Sequence, residues 1–471
     1  ARLGRTSSQE ELRRMGGVLH ACGTVDGGVG EALRRAAEGF AAECVPWGEH
    51  QAGFAKGATV SDTMVPLISE DGDAGGLASS GTSDTHSDSE ATLADTLLPC
   101  PRLWALMPGF GGRLGFAVWM FLAAVALATK LFMMGTAIFG KPDIANNKLR
   151  DSRISWTGQV CNEASDAAAF AMCIQILVGL RRFIHSRRLR EALERERRLE
   201  SWYELVHFAS RASCIAWAVF VVLTINTVFW NLTTDSLHDI RGWFEQNYGS
   251  TRADNFGVCL DTFAWVIFNL LIASWVAVFG VMWKLSMLEL HRICDRIRAG
   301  GGDTEWTALT DDYTALCARL ERLWGPGGMA PTLAAALAAL LLSSMFSLSM
   351  GMTVERTSLV VYNMMWGTVT GGLAVGSVLL MAKLQSKCTS PRWSKHSILN
   401  LAVRVSGAVP AEQRFGHMIF KECVLRNPTS VDLGFLGHVT MPLAMTLVRI
   451  FVVSVPTIAT VAAAKAANPF A

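Results

Sequence analysis

Long apolar runs dominate the pattern of hydrophobic and polar positions along the chain. Seven of them are long enough to cross a bilayer as a helix, which takes roughly 20 residues. These runs are residues 114–139, 164–180, 212–232, 259–283, 329–352, 358–382 and 438–463. The second is the weakest, because it is short and carries Asp166 near its start. Continuous runs, as opposed to short alternating segments, predict membrane helices and exclude a closed β-barrel.

Helical periodicity also recurs between the runs. Leucines and a tyrosine follow one another at a spacing of four and three residues, which is an a/d seam that requires a helical partner. The seam consists of Leu309, Tyr313, Leu316, Leu320 and Leu323. Residues 395–406 and 412–425 are two further amphipathic segments, and Gly325-Pro326-Gly327-Gly328 predicts a helix break. The later spans are therefore expected to extend beyond the bilayer as stems that form a helical bundle.

Composition and charge turn this pattern into a topology. Hydrophobic residues make up 51% of the 471 residues and charged residues only 17%, against about 25% charged in soluble domains. Lys and Arg number 32 in residues 1–113, 181–211, 284–328 and 383–437, but eight in the intervening segments. Because positive charge is retained in the cytosol, the N-terminus is expected inside and the C-terminus outside.

The predicted organisation is all-α, with a cytosolic N-terminal region, a membrane domain and a short extracellular tail. These parts are residues 1–113, 114–463 and 464–471. No signal peptide is expected, because the first hundred residues contain no apolar core for one. Residues 69–96 hold seven acidic residues and no Lys or Arg, which predicts disorder. The basic segment 181–211 suits anionic lipid headgroups, but enforcement of topology is the simpler interpretation.

Two local features agree with this orientation. Asn231 opens an N-glycosylation sequon just beyond the third span. Cys161 and Cys259 are the two of eleven cysteines that fall in outer loops, where the oxidising side permits a disulfide. Two unrelated buried thiols are an equally good interpretation of this pair.

Catalytic chemistry is not expected. The sequence contains no nucleotide-binding loop, nucleophile elbow, zinc-protease motif or CxxC pair, so we predict no enzyme, cofactor, metal site or nucleic-acid partner. The charge count opposes a G-protein-coupled receptor, whose N-terminus lies outside. A secondary transporter, or a membrane scaffold with a cytosolic docking bundle, remains the alternative, although transporters usually show two similar halves.

Two stretches carry a resemblance to a known family. They are "TALTDDYTALCARLERLW" (307–324), before the fifth span, and "FGHMIFKECVLRNPTSVDLGFLGHVTMPL" (415–443), before the seventh. With the seven-span layout, they resemble the insect gustatory and odorant receptor superfamily and its gustatory-receptor-like relatives. The family's Thr-Tyr and Gln-Phe signature is absent from "RIFVVSVPTIATVAA", which indicates a distant member.

The resemblance implies a homotetrameric, ligand-gated cation channel of the plasma membrane that acts in sensory transduction, held together by its cytosolic stems. It also implies a small-molecule pocket in the outer halves of spans two to six, where this chain offers Asn226, Phe229, Trp230, Phe263, Trp265, Phe268, Phe346, Met350, Tyr362 and Trp366. The seventh span would line the pore, with Arg449, Val453, Pro456, Thr457 and Thr460 as candidates.

Arg449 raises a question of its own, because a charge inside a membrane span is costly. It must line a water-filled path or have a buried partner. We expect a buried partner, with hydroxyl or carbonyl groups, Asp166 or Asp261 as candidates.

Overall fold

The structure is a computed structural model that describes part of the chain. The chain divides into two units, residues 1–88 and 89–471, and every described residue belongs to the second. The described residues are 104, 107–139, 156–233, 251–353, 357–389, 394, 396–433 and 437–467. The acidic segment 69–96 lies outside them, so its disorder stays a prediction.

Eleven α-helices make up most of the described part of the chain. They are α1 (Arg113–Phe139), α2 (Trp156–Ile184), α3 (Arg187–Arg197), α4 (Trp202–Thr233), α5 (Thr251–Gly300), α6 (Trp306–Trp324), α7 (Ala330–Thr353), α8 (Thr357–Thr389), α9 (Ile398–Arg404), α10 (Arg414–Arg426) and α11 (Met441–Ala467). Three short 3₁₀ turns accompany them at Gly301–Asp303, Ser406–Ala408 and Ala411–Gln413. Seven of the helices, α1, α2, α4, α5, α7, α8 and α11, are long and apolar enough to cross a membrane. The prediction of seven helical spans is confirmed, and the chain is an integral membrane protein.

Several helices begin earlier than the predicted spans: α4 begins at Trp202 and α5 at Thr251, against predicted span starts at residues 212 and 259. Helix α2 begins at Trp156, but its candidate membrane span begins at Glu163, one residue from the predicted start at residue 164. Helix α11 begins at Met441, not at residue 438. The Thr440 hydroxyl accepts a hydrogen bond from the Leu443 amide at 3.4 Å, as an N-cap does, and His438 forms an isolated β-bridge instead.

The α6 seam has the helical partner that its spacing predicts. All five seam residues of α6 are buried, and α6 packs against α10. The Tyr313 hydroxyl donates a hydrogen bond to the Asn427 carbonyl at 3.0 Å. On α10, the His417 Nε2 atom lies 2.8 Å from the Ala402 carbonyl, and its ring packs edge-on against Trp306. Burial is the main cause that lowers the pKa of His417.

The seven spans differ strongly in how much of their surface is covered. In the most apolar stretch of α5, 83% of the residues are buried, so α5 is the central helix of the domain. The corresponding stretch of α11 is only 6% buried. Helix α11 packs against α8 and α7. It approaches α8 closely at Gly371, where an added β-carbon would lie 2.5 Å from the Phe451 ring of α11. Most of the surface of α11 therefore faces away from the other described helices.

Candidate functional site

Four of the residues predicted to line a pocket form one aromatic cluster. The Trp265 ring lies 5.5 Å from Phe268 and 4.9 Å from Trp366, and Tyr362 stacks on Trp366 at 6.2 Å. Phe170 of α2 joins them, 5.3 Å from Trp265. The Trp366 indole N–H donates to the Ser343 hydroxyl at 2.6 Å. Helices α2, α5, α7 and α8 therefore meet at this cluster.

A buried ion cluster adjoins these rings. The Lys130 ammonium of α1 donates a hydrogen bond to Asp166 Oδ2 of α2 at 3.1 Å. It also lies 2.6 Å from Asp261 Oδ1 of α5, and its side chain is only 3% exposed. The same nitrogen lies 4.6 Å from the centre of the Trp265 ring and 5.7 Å from that of Phe170. Cation–π attraction therefore adds to the ionic contacts.

Counted over the described residues, the ion cluster holds more acid than base. Besides the two aspartates, Glu163 of α2 lies close enough to interact electrostatically with Lys130. Its Oε2 atom is buried and has no hydrogen-bond partner among the residues that the structure describes. One ammonium thus faces three carboxyl groups in a medium where unpaired charge is strongly disfavoured. Such an arrangement fixes three helices to one another and leaves a carboxyl oxygen free to accept a hydrogen bond from a further group.

This arrangement corrects the expectation for Arg449. Both aspartates considered as its partners are bound to Lys130. Arg449 is exposed on α11 and makes no hydrogen bond or ion pair to any residue that the structure describes. In the sequence, Lys130 and Arg449 give the same signal, a single charge inside an apolar span. Only the packing of the helices shows that Lys130, and not Arg449, lies beside the two aspartates.

The remaining predicted pocket residues are placed differently. Asn226 is buried, with an amide nitrogen that has no hydrogen-bond partner in the described part of the chain. Phe346 and Met350 on α7 are half-buried. Phe263 is 39% exposed and points away from the protein interior. The side chains of Phe229, Trp230 and Asn231 lie outside the described residues, so their roles stay predictions.

The five predicted pore residues all lie on the exposed side of α11. Val453 is 66% exposed, and Arg449, Pro456, Thr457 and Thr460 are also exposed. Since successive helix residues rotate by about 100°, these positions fall within an arc of about 100°, which we call the α11 stripe. Phe451, which packs on Gly371, lies on the opposite side of the helix.

Other sequence predictions are not tested by these contacts. Cys259 is exposed near the start of α5, and the side chain of Cys161 is outside the described residues. Their disulfide stays a prediction that a gel-shift assay, with and without reductant, would check. Within the described ranges, no group of His, Cys, Asp and Glu side chains could hold a metal ion.

Comparison with known proteins gives a structural neighbour. No protein-family model and no curated protein matches the chain. The fold is similar to that of an insect olfactory receptor, OR5 from Machilis hrabei, whose structure was solved in complex with eugenol. The alignment covers 74% of this chain and 89% of the receptor, with a TM-score of 0.51 and 10% sequence identity. The chain therefore has the seven-span fold of an insect receptor, which the sequence resemblance predicted.

Proposed function

We propose that the chain is a chemoreceptor-like, ligand-gated cation channel that assembles as a homotetramer. In this proposal α11 lines the central pore, and a small molecule binds in the outer halves of the spans near the aromatic cluster. Similarity to an insect olfactory receptor supports the assembly and the class of ligand. It gives the fold alone, so the proposal depends on this chain's own surfaces.

The observation that carries the proposal is the α11 stripe. It places an arginine, two threonines and a helix-interior proline on the least covered of the seven spans. An arginine that faced lipid at this depth would cost several kcal/mol. A polar stripe within a membrane span is stable where it faces water or another copy of the chain, and a central pore supplies both.

The position of Arg449 is compatible with cation flow. It lies about 12 Å from the start of α11, given a rise of about 1.5 Å per residue. Helical side chains lean toward the N-terminus, which here is the expected cytosolic end. Four guanidinium groups would thus surround the wide inner mouth of the pore and not its narrowest part.

Pro456 gives the same helix a place to bend. A proline has no backbone N–H, so the Val452 carbonyl one turn earlier lacks its helical donor. Bends in long helices are common at such positions. A bend here would move Thr457 and Thr460, which lie on the outer side of the proline, relative to Arg449.

The ligand site has an aromatic wall and an ionic edge. Trp265 touches both the Lys130 ammonium and the Trp366 ring, so a ligand inserted among the rings would also reach the ion cluster. Pockets of this kind bind mostly apolar molecules, with a few polar groups that fix the orientation. We propose an aromatic or aliphatic small molecule with at least one hydrogen-bonding group.

The decisive experiment combines imaging of the purified particle with recording of ligand-evoked currents. The full chain is expressed, its particle is imaged at low resolution, and currents are recorded against a broad chemical panel. We expect a tetramer with a central axis and ligand-evoked cation current. A monomer or dimer that transports a solute, or a particle without current at the surface, would instead favour the transporter or scaffold.

Cysteine substitution then tests which side of α11 lines the pore. Val453→Cys lies on the stripe, and Val455→Cys is its matched control, a half-buried valine one turn beyond Phe451 on the covered side. A charged thiol reagent should block the current of Val453→Cys. It should leave the current of Val455→Cys the same as that of the native chain. Equal block of both variants would refute pore lining by this face. Arg449→Ala should alter gating or assembly more than ligand affinity.

A further inference from the structure

A pocket lies at the opposite end of the spans, where α2 ends and α7 begins. Its volume is about 330 Å³, and its lining includes Arg182, Arg187, Arg188, Gly327 and Gly328. The arginines come from the end of α2 and the start of α3, whereas the glycines come from the turn between α6 and α7. Two segments far apart in the sequence therefore build this site together.

The positive charge of the pocket is largely uncompensated. Arg187 pairs with Glu191 at 2.5 Å. Arg182 and Arg188 form no ion pair with any carboxylate in the described part of the chain. All three arginine side chains are exposed, so their guanidinium groups are accessible to a ligand. An anion is the complement that this arrangement lacks.

One of the arginines is held in place by the backbone. Arg188 Nη1 donates to the carbonyls of Arg322 and Gly327, at 3.2 Å and 3.1 Å. A guanidinium group has five N–H donors, so several remain for a ligand. A β-carbon at residue 327 would lie 2.9 Å from this Nη1 atom, so the guanidinium group lies directly against the turn.

The start of α3 adds to the positive potential. Ser186 caps the helix by accepting a hydrogen bond from the Leu189 amide at 3.3 Å, and Ser186 also lines the pocket. The amino end of this 11-residue helix thus lies at the pocket, where the helix dipole favours an anion.

The location indicates a lipid as the source of the anion. The second candidate span ends at Ile184 and the fifth begins at Ala330, so the pocket lies level with the headgroups. The charge distribution assigns this side to the cytosol, and buried Phe183 contributes an apolar surface to the lining. The volume is at the lower end of the range for small-molecule pockets, about 300–1,000 Å³, which suits a whole headgroup.

We propose that this pocket binds the phosphorylated headgroup of an anionic lipid of the inner leaflet, of the phosphoinositide class. Arg182 and Arg187 would contact the phosphates, and Arg188 would link the bound headgroup to the α6–α7 turn. Bidentate arginine–phosphate contacts provide the selectivity. The proposal is independent of channel activity, because it concerns a separate surface at the other end of the spans.

The test uses the purified full chain in detergent, with a short-chain phosphatidylinositol bisphosphate as the probe. Binding to the folded state raises the melting midpoint in a saturable way, which gives an apparent affinity. We expect R182Q/R187Q to weaken this affinity about tenfold or more, since charge-assisted hydrogen bonds are lost. R197Q/R198Q removes the same charge from exposed positions at the other end of α3, and should change affinity less than about twofold.

Further arms guard against misfolding and identify the source of the phosphate. R182K/R187K keeps the positive charge but not the planar guanidinium group. Its affinity for the lipid should lie between those of the native chain and R182Q/R187Q. Inositol trisphosphate, the soluble headgroup, should bind more weakly than the lipid. Equal affinity of lipid and soluble headgroup would overturn the lipid assignment. Absence of any midpoint shift, or equal weakening by both glutamine pairs, would overturn the pocket itself.

Discussion

Replacing Lys130 by methionine tests whether the buried ion cluster holds the membrane domain together. The substitution keeps the length and apolar stem of the side chain but removes the ammonium. Asp166 and Asp261 then lose the cation that lies 3.1 Å and 2.6 Å from their oxygens. Because the two aspartates are on different helices, the contacts of α1 with both α2 and α5 are weakened at once.

The magnitude follows from opposing terms. At an effective dielectric constant of about 20, the two attractions are about 5 and about 6 kcal/mol. Desolvation of the ammonium and carboxylates cancels much of this gain. Removing one member of a buried ion cluster typically costs about 3–5 kcal/mol, because the remaining charges stay buried without a partner. Protonation of a carboxylate limits the loss, so we expect about 3 kcal/mol.

The measurement is the melting midpoint of the full chain in detergent, followed by size-exclusion chromatography. We expect Lys130→Met to lower the midpoint by about 5 °C. The triple variant K130M/D166N/D261N should recover most of this loss, since neutral side chains replace the whole cluster. A matched control is Lys284→Met, because the Lys284–Glu204 pair at 2.5 Å has a half-exposed carboxylate, and such pairs contribute under about 1 kcal/mol.

Two results would refute this reasoning. If Lys130→Met and Lys284→Met melt at the same temperature, the buried cluster contributes no more than a half-exposed pair. If the triple variant melts below Lys130→Met, the carboxylates stabilise the fold by contacts other than those with the ammonium.

Three further predictions concern packing and protonation. Tyr313→Phe removes the hydrogen bond to the Asn427 carbonyl and should cost about 1 kcal/mol in stability, measured by denaturant or thermal melting. At Gly371 an added β-carbon would lie 2.5 Å from both the Phe451 ring and the Ser344 hydroxyl, so Gly371→Val should cost about 1–3 kcal/mol. At Gly372 an added β-carbon meets no atom within 4 Å, so Gly372→Val should melt like the native chain. The pKa of His417 is below its usual value near 6.5, so the unfolded chain binds its proton first. The contribution of His417 to stability should be full above about pH 6.5 and should be lost progressively below it, by up to about 1.4 kcal/mol per pH unit, and His417→Gln should make the measured slope shallower.

Each of these predictions has a result that contradicts it. An unchanged melting midpoint in Tyr313→Phe would mean that the Asn427 carbonyl accepts a hydrogen bond from another donor. For the two glycines, equal melting of both valine variants would show that the close helix approach does not decide stability. A pH slope that is the same in His417→Gln as in the native chain would assign the whole effect to another group.

The sequence determined the helices of this protein well, because each helix is specified by a local pattern of apolar residues. A run of about 20 apolar residues needs no information from elsewhere in the chain to specify a span. The same holds for the α6 seam, where a spacing of three and four places Leu309, Tyr313 and Leu316 on one face, and all three are buried. The α11 stripe residues were named from the family resemblance alone, and their exposure on one side of the helix is known only from the structure.

Partners across helices were decided only by the tertiary structure. Lys130 and Arg449 look alike in sequence, one cation in each of two apolar runs, yet Lys130 is enclosed by Asp166 and Asp261 while Arg449 is exposed. The difference depends on how far each helix is rotated and shifted along its axis, which many weak packing contacts set together. The lipid pocket has the same origin, because its arginines and glycines meet only after α2, α3 and α7 have packed.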